Sequence, residues 1–171
     1  MQDHFQTQWL IKCGLLAATT AVLSQIIIPI GPVPINLALL SVLIAGGLLP
    51  VRYALGSQMV YILLGCLGLP VFAGFGGGVG VAFGPTGGYI WGYLLAAAVT
   101  SWCADCWGRE GIGLIGAMVV GVALCYGAGT AWFMYLTGNG LWASLLLCVI
   151  PFLLGDGFKI LVAAMVVKRL K

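Results

Sequence analysis

The sequence predicts an all-α integral membrane protein, with six transmembrane helices in a single domain over residues 1–171 and a glycine-rich outer loop between helices 3 and 4. Three observations carry this reading. Hydrophobic residues make up 62% of the chain and charged residues only 6%, where ordinary soluble domains carry roughly 25% charge. At about 20 residues per span for a hydrocarbon core of roughly 30 Å, the 171 residues hold about six helices with short connections. The basic residues also segregate to alternate connections, as they do around membrane spans. The net charge of +3 therefore reports topology, and no nucleic-acid partner is expected.

The spans are expected near residues 8–28, 36–49, 53–68, 88–106, 111–136 and 152–168. The opening MQDHFQTQWLIK has no basic start and no small-residue cleavage site, so the first helix is expected to be retained. With the N-terminus cytoplasmic, the cytoplasmic connections carry Lys12, Arg52, Arg109, Lys168, Arg169 and Lys171, and the outer ones near 29–35, 69–87 and 137–151 carry no Lys or Arg. This bias places both termini in the cytoplasm and the protein, multi-pass, in the cell membrane.

The stretch GLPVFAGFGGGVGVAFGPTGGY, from Gly68 to Tyr89, holds nine glycines and two prolines and no charge. A phosphate cradle is excluded, because no Lys occurs between Lys12 and Lys159 and no G-x-G-x-x-G fits. A simple connector needs only about two to eight residues, and this one interleaves Val71, Phe72, Phe75, Val79, Val81 and Phe83 with its glycines. Irregular backbone at membrane depth survives where it is buried or lines a cavity. A folded outer loop over a cavity is therefore expected. The proline-rich IPIGPVPIN at 28–36 lies on the same outer side, and the two loops are expected to form one lid.

In PFLLGDGFKILVAAMVVKRLK, Asp156 and Lys159 stand three residues apart on one face near the outer end of an apolar segment. A charge deep in a bilayer costs about 2.5–3.5 kcal/mol on insertion scales, and such residues usually face a cavity, a partner charge or a substrate. Two readings stand: an i,i+3 salt bridge that locks the helix start, or polar anchors for a small ligand. The second is favoured because every other Lys or Arg is kept to the cytoplasmic side.

Other chemistry is thinly represented. Cys103 and Cys106 form one C-x-x-C, but the single histidine is His4, so neither a metal site nor a Ser/His/Asp set is expected. Asp105, Arg109 and Glu110 read as a solvated cytoplasmic turn. Trp132, Tyr135, Trp142 and Tyr89 fit an outer aromatic belt, with Trp132 and Tyr89 flanking the proposed cavity. An intramembrane enzyme using Asp156 would need a second nearby carboxylate, which the sequence does not offer. A channel-type subunit would need a continuous polar path.

The segment from Gly68 to Tyr93, with GLPVFAG and GPTGGYIWGY, resembles the signature of the BioY family, the biotin-binding S components of energy-coupling factor transporters. IPIGPVPINLALLSVLIAG at 28–46, GTAWFMY at 129–135 and PFLLGDGFK at 151–159 are similar to further family elements, so the resemblance spans nearly the whole chain. It implies six helices, a short outer helix over 141–150, and an outward-facing vitamin site walled by the outer loops. Biotin is then the transported ligand, with no cofactor. Riboflavin or thiamine stands as the alternative vitamin.

The substrate-binding candidates are Asp156, Lys159, Asn36, Phe72, Thr86, Tyr89 and Trp132. Where family members often read VP-x-TLQT this chain has VPINLAL, so Asn36 stands in the Thr place and Ala38 in the Gln place. The resemblance implies as partners a transmembrane coupling protein and two cytoplasmic ATPases. Docking to them is expected through small residues of the first helix, Ala17 and Ala21, whose spacing lets helices approach closely.

Overall fold

The computed structural model describes residues 2–28 and 35–171. Most of the proline-rich 28–36 loop lies outside the described residues. Its flanks Ile27–Ile28 (β1) and Ile35–Asn36 (β2) pair antiparallel, Ile27 opposite Asn36 and Ile28 opposite Ile35. The first helix, α1, runs Gln2–Leu23, and so ends short of residue 28. The physical reason lies in the sequence: Ile28 precedes Pro29, which disfavours helical backbone before it, and the β-branched run favours a strand.

Ala38–Leu48 (α2) is the centre of the bundle, with nine of its eleven residues buried. At about 1.5 Å per residue its 11 residues reach only about 17 Å. It can be short because α1, Val51–Cys66 (α3), Gly87–Trp107 (α5) and Leu153–Leu170 (α8) enclose it and shield it from lipid. Pro50 separates α2 from α3. Gly111–Thr137 (α6) is long and apolar enough to cross a bilayer, with a mean hydropathy of 2.0. The short outer helix implied at 141–150 is present as Leu141–Cys148 (α7), leading through Ile150–Phe152 into α8.

The last four carbonyls of a helix lack partners within it, and α2 ends inside protein. Arg109 supplies them for two of these carbonyls and for Leu49 just beyond. Its guanidinium donates to Gly47 O at 2.8 Å, Gly46 O at 3.4 Å and Leu49 O at 3.2 Å, while its Nε pairs with Asp105 at 2.7 Å. The expected solvated turn holds for Asp105 and Glu110, 53% and 71% exposed, and is corrected for Arg109, whose side chain is only 17% exposed. Its planar fork suits carbonyls converging from one helix end.

The tightest seam joins α5 to α6. Gly88, Gly92, Ala96 and Thr100 recur every fourth residue on α5 and meet Gly121, Cys125 and Gly129 on α6. A Cβ on Gly129 would stand 2.3 Å from the Tyr89 ring. Small residues at this spacing let backbones approach where lipid provides no hydrophobic drive for association.

On α1, the two small residues expected to dock a partner pack inward. Ala17 is 2% exposed and Ala21 half-buried, both against the core. The exposed small pair four residues apart on this helix is Gly14 and Ala18.

Candidate functional site

A cavity of about 270 Å³ opens among the N-terminal part of α5, the C-terminal half of α6, the start of α8 and the glycine-rich segment. Of the expected substrate-binding residues, Asp156, Lys159, Asn36, Phe72, Thr86 and Tyr89 line it. Trp132 does not. Its indole Nε1 donates to Gly84 O at 3.0 Å and so pins the glycine-rich loop.

The glycine-rich segment is folded. It contains a turn at Ala73–Phe75 and a one-turn helix, Val79–Ala82 (α4). Gln25, two residues beyond α1, clamps it: Nε2 donates to Phe72 O at 3.1 Å and Oε1 accepts from Phe75 N–H at 2.8 Å. Trp91 Nε1 donates to Ala82 O at 3.0 Å. These bonds hold Phe72, 1% exposed, in the cavity wall with its ring edge-on to Tyr61 at 5.6 Å. Gly65 makes the seat, since a Cβ there would lie 2.1 Å from the Phe72 ring.

Asp156 and Lys159 stand on the first two turns of α8, 3% and 5% exposed. Lys159 Nζ donates to Asp156 Oδ1 at 2.6 Å, and the Tyr126 hydroxyl of α6 donates to Asp156 Oδ2. Each carboxylate oxygen thus keeps one lone pair and the ammonium keeps two protons. The result is a donor and an acceptor side by side in an apolar enclosure, where polar contacts are stronger than in water.

Neutral polar groups surround the pair. Asn36, set by the β1–β2 ribbon, accepts at Oδ1 from Ala38 N–H at 3.1 Å and from the Tyr93 hydroxyl at 3.3 Å. Among the described residues its Nδ2 has no hydrogen bond, and the side chain lines the cavity. The Tyr89 hydroxyl lies 3.1 Å from Thr130 Oγ1 and donates to Cys148 O at 3.4 Å, tying α7 to the wall. Ala38 is fully buried in the core. Asn36 is thus the polar group that the start of α2 presents.

Sequence reasoning missed Tyr61, Tyr93 and Tyr126, which line the same cavity. Their spacing carries no signal, because an apolar helix in lipid has no polar face to orient it. Cys103 is buried and Cys106 exposed, and among the described residues no group of three or more His, Cys, Asp or Glu comes together.

Comparison with known proteins gives consistent findings. The profile of the BioY family matches residues 1–171. The chain is similar to the biotin transporter BioY of Thermotoga maritima, 35% identical over 163 residues that cover 95% of each chain. It is also similar to a probable biotin transporter BioY of Pyrococcus horikoshii, 34% identical over 92% of this chain and 93% of that one. Among solved structures, the S-component for biotin from an ECF-type ABC transporter superposes with a TM-score of 0.88 at 28% identity, covering 99% of this chain and 94% of that one.

Proposed function

We propose that this chain, which belongs to the BioY family, is a multi-pass membrane protein that captures biotin in its outer cavity as the S component of an ECF-type transporter. The observation that carries the reading is the Lys159–Asp156 pair inside an aromatic enclosure. The head of biotin is a cyclic urea, with N–H donors beside a carbonyl acceptor. Asp156 accepts an N–H, Lys159 donates to the carbonyl oxygen, and Asn36 Nδ2 supplies a further donor. Tyr61, Phe72 and Tyr93 enclose the apolar ring system.

Transport fits the pair better than catalysis does. A general acid or base must exchange a proton, whereas Asp156 is bonded on both oxygens and neutralised by Lys159. The clustering of six cations away from the cavity supports a cytoplasmic position for that end and for both termini. A transmembrane coupling protein and two ATPases then complete the transporter, with the exposed Gly14 and Ala18 of α1 as the close-approach face.

The test is thermal unfolding of the purified protein with and without biotin. A ligand at 100 times its dissociation constant stabilises by about 2.7 kcal/mol, so a saturable rise in melting temperature is expected. No rise at millimolar biotin overturns the reading.

A further inference from the structure

Charge in the outer half of this protein is confined to one pair. Of the seven Lys and Arg, six lie at the other end of the bundle. Arg109 caps α2, Lys171 pairs with Glu110, and Lys12 shares a cleft with both. Arg52 rests on Tyr53, whose ring stacks on Trp9 of that cleft. Lys168 and Arg169 are in the last turn of α8. Residues 29–34 are Pro, Ile, Gly, Pro, Val and Pro, and so bring no charge to the mouth in any arrangement. Among the described residues Lys159 is therefore the one cation that lines the cavity, and Asp156 neutralises it at 2.6 Å.

Biotin carries a carboxylate at the end of its aliphatic tail. If that carboxylate were drawn down to Lys159, it would stand beside Asp156, with two buried anions sharing one ammonium. A buried charge without its own partner is strongly unfavourable. With the ring at the ion pair, the groups left for the tail end are the neutral ones on the glycine-rich side of the cavity: Ala73, Val81 and the half-buried Thr86. A hydroxyl donates to the carbonyl of an amide or ester as it does to a carboxylate.

We propose that this site reads the cyclic urea and is indifferent to the charge of the tail, so that its substrate class includes neutral amides and esters of biotin alongside the acid. The inference rests on the biotin reading above and sharpens it: the ring end is specified and the far end is not.

The test is calorimetric titration of the purified full-length protein with biotin, its primary amide and its methyl ester, together with two fragments, 2-imidazolidone and pentanoate. The amide decides the matter because it matches the acid in size. Its dissociation constant is expected within about tenfold of that for biotin, with imidazolidone competing for the site and pentanoate not. A loss beyond tenfold for the amide, with tight biotin binding retained, overturns the proposal and puts the carboxylate on Lys159. Competition by pentanoate in place of imidazolidone overturns it as well. Absence of any biotin binding removes the transport reading, and this inference with it.

Discussion

The Lys159 ammonium lies 2.6 Å from the Asp156 carboxylate, one helical turn away on α8, and the two side chains are only 5% and 4% exposed. In the sequence two readings stood for this pair, a lock on the helix and an anchor for a ligand, and the geometry makes them compatible. Because the bond to Lys159 occupies one carboxylate oxygen and Tyr126 takes the other, Asp156 is held in one orientation. What remains of its hydrogen-bonding capacity is presented to the cavity.

Substituting either member should separate stability from recognition. Asp156→Asn is expected to weaken biotin binding by about 10- to 100-fold, since a charge-assisted acceptor of urea N–H becomes an amide. Lys159→Met strands a buried carboxylate, which typically costs about 3–5 kcal/mol of stability. It should also reduce affinity for biotin and its amide equally. Denaturation and titration on the same samples check both, and unchanged affinity in a folded variant would remove that residue from the site.

Tyr126→Phe deletes the hydroxyl that donates to Asp156 Oδ2 while keeping the ring in the cavity wall. Leaving one acceptor short should cost about 1–3 kcal/mol. The loss is expected to fall mainly on biotin affinity, because Lys159 still neutralises the carboxylate. Equal melting temperatures with an unchanged dissociation constant would show that Tyr126 plays no part in orienting it.

Gly65→Ala tests the seat of Phe72. The new methyl would meet the ring at 2.1 Å, and overpacking of this kind costs about 1–3 kcal/mol. Since Phe72 belongs to the cavity wall, the displacement should lower both the melting temperature and biotin affinity. Gly80→Ala in the same loop, where a Cβ meets nothing within 4 Å, should change neither.

The α1 helix offers a further contrast. Ala18→Trp projects from an exposed position, so the purified protein should bind biotin normally while energised uptake in cells falls sharply. Ala17→Trp puts an indole where the residue is 2% exposed and should impair folding itself. Normal uptake by the Ala18→Trp protein would exclude this face of α1 from docking.

Some of this was legible from residue order alone. The apolar segments were, because partition into lipid depends mainly on composition, although the shortness of α2 rests on the helices that enclose it. Asp156 and Lys159 were as well, since a charge inside an apolar run is anomalous wherever the helix packs. The glycine-rich segment could be read as folded against a cavity from its length and its interleaved apolar side chains. What the sequence could not determine was the rotation of each helix about its axis. Tyr126 faces the cavity and Tyr135 is 82% exposed, yet both sit in the same apolar stretch of α6. The same ambiguity hid which small residues of α1 face inward, and it hid the turning of Trp132 to Gly84 of the loop. It also hid the reach of Arg109 across to the end of α2. A soluble helix reveals its orientation by a polar face, but here lipid and core are equally apolar, so both faces look alike. Only the close fit of the small-residue ladders on α5 and α6 sets the rotation, and that depends on which surfaces meet in three dimensions.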